Sequence, residues 1–205
     1  MKTLSWISWS AATLLCVYVA GNALHYLQPN FPGPEFILQN RMANPWLVLH
    51  AVVASVALLI GPIQLLPGIR TRAPWLHRWL GRGYMAACIA AGVSGLILAA
   101  GTTAGLAAGV GFAALGVLLL VCVAQAWRLA VARRFEAHRA WVIRSYALIF
   151  AGVTLRLWIP LSFVAQLDFM ESYRVIAFLA WVPNLLLAEL YLALTRRRAG
   201  RLKTA

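Results

Sequence analysis

Four histidines are the side chains in this sequence best suited to hold a cofactor. Two of them open near-copies of one motif, HRWLGRGY at residues 77–84 and HRAWVIRSY at residues 138–146, and each copy leads into a long apolar run. Facing imidazoles on neighbouring helices form the axial ligand pair of a b-type haem. The sequence therefore predicts a haem b held by His77 and His138, with electron transfer as the function. The remaining two histidines are His25 and His50.

Arginines that accompany these histidines fit the same hypothesis. A haem brings two propionates to the membrane interface, where guanidinium groups pair with carboxylates in a bidentate manner. A second interpretation stays open, because arginines at cytoplasmic helix ends are also what membrane topology alone produces. In that case the histidines act as interfacial anchors. The predicted propionate partners are Arg78, Arg82, Arg139 and Arg144.

His50 lies deeper in an apolar run than the other histidines and forms, with His25, a candidate pair near the outer face. Residues at helical spacing from His50 are mostly small, which would make room for a flat cofactor or for ordinary helix packing. A hydrolytic metal site of His77, His138 and His50 is disfavoured, because His50 belongs to the opposite face and no carboxylate accompanies the three. The small stripe continues through Ala54, Ala57, Gly61 and Gln64, and the next span has Gly81, Cys88, Gly92 and Gly95.

Arg156 is the most costly residue to place in a bilayer, since it lies within a predicted span. An arginine at mid-bilayer raises the insertion free energy by about 2.5–3.5 kcal/mol. We therefore expect an anionic partner. Asp168 and Glu171 in the following loop are the predicted partners, and a haem propionate or a lipid phosphate is the alternative.

Composition sets the class of protein. Hydrophobic residues make up 62% of the 205 residues, charged residues 11%, and the mean hydropathy is +0.79. The net charge of +13 does not indicate nucleic-acid binding, because the cations fall between apolar segments. An all-α bundle of six transmembrane helices in a single domain, residues 1–205, is predicted. The predicted spans are Leu4–Leu24, Trp46–Leu66, Arg78–Gly101, Leu106–Trp127, Trp141–Val164 and Val175–Leu194.

The cations also predict the orientation. Fifteen of the 18 lysines and arginines fall at the termini or in the loops near residues 70 and 133. The positive-inside rule then places both termini in the cytoplasm and the protein in the inner membrane. An uncleaved anchor is favoured over a signal peptide for the first span, because the apolar stretch is as long as a full span.

Several residues predict how the spans pack. Pro183 should bend the last span, and Asn184 should satisfy the carbonyl that the bend frees. Glu189 is expected to pair with Arg196 or Arg197. The three cysteines, which fit no disulfide or zinc spacing, are expected to be small core residues. The third and fourth spans should be antiparallel neighbours that approach closely through Gly92, Gly95, Gly105, Gly109 and Gly116.

The stretch LHAVVASVALLIGPIQLLPGIRTRAPWLHRWLGRGY, followed by AHRAWVIRSYALIFAGVTLRLWIP, resembles a family of bacterial membrane proteins called domain of unknown function 2306. The resemblance covers residues 45–165 and implies that His50, His77, His138 and Arg156 belong to the family pattern, with His25 outside it. A looser architectural likeness connects the chain to dihaem cytochromes b. It departs from them because its fourth span has no histidine.

Two functional hypotheses follow. The first is a haem-binding electron-transfer protein in the bilayer, with a quinone or a redox protein as its partner. The second is a non-enzymatic protein, either a transporter or an assembly factor, that binds lipid or quinone at an arginine-rich cytoplasmic rim.

Overall fold

The computed structural model describes residues 2–28 and 39–201, and every regular element in this part of the chain is a helix. A 3-10 turn at Leu24–Leu27 follows the first helix. In chain order the α-helices are α1 (Lys2–Ala23), α2 (Ala43–Leu65), α3 (Pro67–Arg72), α4 (Pro74–Gly101), α5 (Leu106–Val131), α6 (Phe135–Ile149), α7 (Ala151–Val164), α8 (Phe169–Leu179) and α9 (Val182–Arg201).

Six stretches are long and apolar enough to span a membrane, which confirms the predicted number. Some spans begin earlier than hydropathy suggested: α4 begins at Pro74 rather than Arg78, and the fifth span begins at Phe135 rather than Trp141. Proline is favoured in a first turn because its missing N–H has no partner there anyway. The observed spans are Trp9–Leu27, Ala43–Leu65, Pro74–Gly101, Leu106–Val131, Phe135–Val164 and Phe169–Arg197.

The ends of the spans define two faces. One face, which we call the terminal face, is formed by the start of α1, residues 66–73, residues 132–134 and the end of α9. The far face is formed by residues 24–28 and 39–42, residues 102–105 and residues 165–168. The cation-rich connections all belong to the terminal face.

Helices α4 and α5 pack closely as antiparallel neighbours, as predicted. A Cβ atom built on Gly92 would lie 2.8 Å from Leu120, and one on Gly116 would lie 3.0 Å from Leu96. Each glycine therefore lets the facing leucine reach the backbone. The three cysteines are buried in the same core and carry no disulfide, as expected.

Helical hydrogen bonding is interrupted once in each of the last two spans, although Phe150 and Ala180 keep right-handed helical backbone angles. The fifth breaks at Phe150, between α6 and α7, and the sixth breaks at Ala180 and Trp181, between α8 and α9. The Asn184 amide donates to the Ala180 carbonyl over 3.0 Å and to the Thr154 hydroxyl over 2.9 Å. The Thr154 hydroxyl in turn donates to the Ala180 carbonyl. The predicted role of Asn184 is confirmed, and its contact with Thr154 ties the two breaks together.

An ion pair joins α6 to α9. The Arg144 guanidinium binds both carboxylate oxygens of Glu189, with Nη2 2.9 Å from Oε2, and its carbon lies 4.7 Å above the centre of the Trp141 ring. The prediction that Glu189 pairs with Arg196 or Arg197 was wrong. An arginine on the facing helix meets the carboxylate in a two-pronged geometry that favours it over neighbours on the same helix.

Candidate functional site

A cavity of about 250 Å³ lies inside the bundle, and all six spans contribute to its wall. It extends from Asn40 and Thr102 at the far face down to Ala151 and Ala180 at the two breaks. Most of its lining is apolar, while its polar side chains include Tyr26, His50, Arg156 and Tyr173. A cavity with an apolar wall and a few polar groups is the usual form of a small-molecule site.

The small stripe predicted along α2 divides into two parts. His50 and Ala54 line the cavity. Closer to the terminal face, a Cβ atom on Gly61 would overlap the Tyr146 ring, so this glycine serves close packing. Gln64 donates to the His77 carbonyl over 3.2 Å, which is the interhelical hydrogen bond that a polar residue in a span usually makes.

The hydrogen bonds of His50 fix its ring. Its Nδ1 lies 3.1 Å from the Ala91 carbonyl oxygen and 3.2 Å from the Ser94 hydroxyl. Because a carbonyl only accepts, Nδ1 carries the hydrogen, and Nε2 of the neutral ring is left as an acceptor. Gly95 lets the imidazole sit against α4, since a Cβ atom there would lie 3.3 Å from Cε1 of His50. His25 is exposed on the 3-10 turn and does not line the cavity.

Arg156 reaches the cavity from α7, and its charge has no carboxylate partner among the described residues. Its Nη1 donates to the Gly152 carbonyl over 2.9 Å. The predicted partners were wrong. Asp168 caps α8 by accepting from the Glu171 N–H over 2.9 Å, and Glu171 pairs with Arg174 one helical turn away.

Residues 39–42 lie across the end of α4 where the cavity meets the far face. The Asn40 amide donates to the Leu98 carbonyl over 2.8 Å, and the Arg41 N–H donates to the Gly101 carbonyl over 3.0 Å. A Cβ atom on Gly101 would lie 2.3 Å from the Asn40 Oδ1. Only glycine therefore allows this segment to approach α4 so closely.

The histidines that open the two motifs both lie at the terminal face, outside the cavity lining. His138 Nδ1 donates to the Ala126 carbonyl over 2.8 Å, which leaves Nε2 of the neutral ring with its lone pair. Nδ1 of His77 is the one buried side-chain nitrogen or oxygen in the described residues that has no hydrogen-bond partner.

The predicted propionate partners have different environments at the terminal face. Arg78 is exposed, and Arg82 is exposed with its guanidinium carbon 5.2 Å from the centre of the Trp79 ring. Arg139 donates to the Tyr191 hydroxyl over 3.2 Å. Arg144 is already engaged by Glu189, as described above.

A three-histidine metal site is not formed. In the described parts of the chain, no three histidine, cysteine, aspartate or glutamate side chains are grouped so that they could hold a metal ion. His50 lies at the cavity, whereas His77 and His138 lie at the terminal face. A haem with two axial imidazoles needs only two protein ligands, so the requirement for three grouped side chains does not apply to it.

Sequence reasoning missed much of the polar lining. Tyr26, Asn40 and Tyr173 lie at or beyond span ends, where tyrosine and asparagine are common without any site. Whether these side chains lie near His50 and Arg156 depends on how the six helices are rotated about their axes. No sequence motif predicts that rotation.

Comparison with known proteins identifies the family. The family model described as "Predicted membrane protein (DUF2306)" matches residues 47–192, and the chain belongs to this family. The match confirms the resemblance and extends beyond residue 165 through most of the last span. No curated protein and no solved structure matches the chain.

Proposed function

We propose that this member of the DUF2306 family binds a small amphiphilic ligand in the far-face cavity and has a non-enzymatic role in its transport or retention. The observation that carries the proposal is the cavity itself, which has an apolar wall and polar side chains that include Tyr26, His50 and Arg156. A ligand with an apolar body and a polar head matches that distribution. The cavity supports the hypothesis of a non-enzymatic protein that binds lipid or quinone, with the binding site at the far face and not at the arginine-rich rim.

The volume limits the ligand. About 250 Å³ is slightly below the range of roughly 300–1,000 Å³ that is common for ligand pockets. The cavity therefore suits a small molecule, or the head and first part of a chain whose remainder lies between helices. A quinone ring, or the head and first part of a single acyl chain, meets this limit.

The broken spans favour transport over passive storage. Ala151 directly follows the interruption at Phe150, and Ala180 is part of the interruption in the last span. Both residues line the cavity. Phe150 and Ala180 keep right-handed helical backbone angles, so these are interruptions of the hydrogen-bond ladder. Interrupted helices surround the binding sites of many transporters.

A cavity-filling substitution tests the proposal. Ala54→Phe places a ring in the cavity, while Val56→Phe on the same helix is the matched control, because Val56 is 42% exposed on the outside of the bundle. Membranes containing each variant are treated with two photoactivatable probes, a twelve-carbon alcohol and a twelve-carbon carboxylic acid that carry a diazirine on the chain. We expect at least one probe to label cavity peptides of the wild type and of Val56→Phe, but not of Ala54→Phe.

Equal labelling of the wild type and Ala54→Phe would show that the probes reach only the lipid-facing surface. Size-exclusion profiles of the three proteins in detergent confirm that each is folded before labelling is compared.

A second candidate function, haem binding at His77 and His138, is favoured by the unpartnered Nδ1 of His77. The backbone carbonyl that holds Nδ1 of His138 is the kind of outer partner that orients ligating histidines. In this candidate, His77 and His138 would be the axial ligands and exposed Arg78 a propionate partner. When bound, a haem would supply one-electron transfer.

A visible spectrum of the purified protein tests the second candidate. A Soret band that shifts on adding dithionite and disappears in His77→Ala and His138→Ala, but persists in His25→Ala, is the expected result. A colourless, folded preparation from cells supplied with haem precursor would end this candidate.

We infer that the terminal face is cytoplasmic and the far face is outside the inner membrane. The asymmetry of lysine and arginine supports this orientation. Single cysteines introduced at Arg72 and Thr103, in a variant without the native cysteines, should react with an impermeant maleimide added outside only at position 103. The reverse pattern would invert the topology.

A further inference from the structure

We propose that the ligand of the cavity has an anionic head group, a carboxylate or a phosphate, and that Arg156 is the residue that binds it. This inference rests on the proposed function, because it specifies the chemistry of the ligand in the same cavity.

The charge of the residues that line the cavity favours an anionic ligand. Among the described residues that line it, Arg156 is the only one with a formal charge at neutral pH when His50 is neutral, and no aspartate or glutamate is present. An unpaired cation within a span is costly. A ligand with a single negative charge would neutralise it and so would be selected over a neutral head group.

The hydrogen bonding of Arg156 also favours an anionic ligand. Its guanidinium has five N–H groups, and in the described structure one nitrogen, Nη1, donates to one acceptor, the Gly152 carbonyl. That bond is made to the same helix one turn earlier, so it leaves most of the guanidinium available. A planar fork of donors matches the two oxygens of a carboxylate or phosphate.

Three of the four described acidic side chains are engaged elsewhere, and the fourth, Glu136, lies at the terminal face. Asp168 caps a helix, Glu171 pairs with Arg174, and Glu189 pairs with Arg144. The described carboxylates therefore leave Arg156 to a ligand.

The two diazirine probes test the charge directly, because they differ only in the head group. We expect the carboxylic acid probe, ionised at pH 8, to label the cavity of the wild type far more strongly than the alcohol probe. Arg156→Gln should weaken acid labelling about ten- to a hundred-fold, the factor given by loss of a charge-assisted hydrogen bond, and leave alcohol labelling unchanged. Arg156→Lys should retain part of the preference.

Two matched variants guard against indirect effects. Arg41→Gln removes a far-face cation that does not line the cavity and should leave the acid preference intact. Glu35→Gln removes the one acidic side chain outside the described residues, and it should not strengthen acid labelling. Stronger labelling in Glu35→Gln would identify an internal partner for Arg156 and overturn the inference.

The remaining outcomes separate this inference from the proposed function. Equal cavity labelling by acid and alcohol, unchanged in Arg156→Gln, would overturn the anion and keep the amphiphile. No cavity labelling by either probe would overturn both. Displacement by unlabelled dodecanoate or by dodecyl phosphate distinguishes the two head groups. Complete displacement by inorganic phosphate would identify a soluble anion and so refute the amphiphile while keeping the role of Arg156.

Discussion

The link between the two broken spans yields a quantitative prediction. Asn184 donates to the Thr154 hydroxyl and to the Ala180 carbonyl, so Asn184→Ala removes two hydrogen bonds at the breaks. Interhelical hydrogen bonds in membrane proteins contribute about 0.6 kcal/mol on average and up to about 1.7 kcal/mol. We expect Asn184→Ala to lower the free energy of unfolding by about 1–2 kcal/mol and Thr154→Val by about 0.6–1.5 kcal/mol.

The double variant isolates the contact between the two side chains. Thr154 and Asn184 share one hydrogen bond. The sum of the two single losses of unfolding free energy should therefore exceed the loss in the double variant by about 0.5–1.5 kcal/mol. Unfolding is measured by titrating mixed micelles with a denaturing detergent. Thr13→Val is the matched control, since the Thr13 hydroxyl bonds only to Trp9 of its own helix. Single effects that simply add would refute the claim that this contact couples the breaks.

Two further perturbations test the packing of the bundle. Glu189→Gln leaves half-buried Arg144 without its carboxylate and should lower the unfolding free energy by about 1 kcal/mol or more, while Glu136→Gln should change little, because Glu136 is exposed and makes no ion pair. Gly92→Leu places side-chain atoms where Leu120 lies 2.8 Å from the Cβ position and should cost about 1–3 kcal/mol in the same detergent titration. Gly83→Leu, where the nearest atom is 3.8 Å away, should be tolerated.

Features set by local sequence were predictable. A bilayer requires long apolar helices, so hydropathy alone gave the six spans. Proline removes a backbone donor and frees a carbonyl, so Pro183 with Asn184 beside it marked the break in the last span. The break at Phe150 has no such signal, because the nearest proline in that span is Pro160, ten residues later.

Features set by helix rotation were not predictable. The expected partners of Arg156 and Glu189 were the nearest opposite charges in sequence, yet Glu171 binds Arg174 and Glu189 binds Arg144 on another span. Which side chains face one another across a bundle depends on the rotation and depth of each helix. A single sequence constrains both weakly when the helices are apolar all around. For the same reason, motif spacing points to the histidines at the terminal face but not to the cavity lined by Tyr26 and Tyr173.

The most direct test of the central claim is native mass spectrometry of the protein released from detergent micelles or nanodiscs. If the cavity binds an amphiphile from the membrane, the wild type and Val56→Phe should retain a bound acidic molecule of defined mass, and Ala54→Phe should lose it. Retention of the same molecule by Ala54→Phe, or ligand-free spectra for all three proteins in native lipid, would contradict the account.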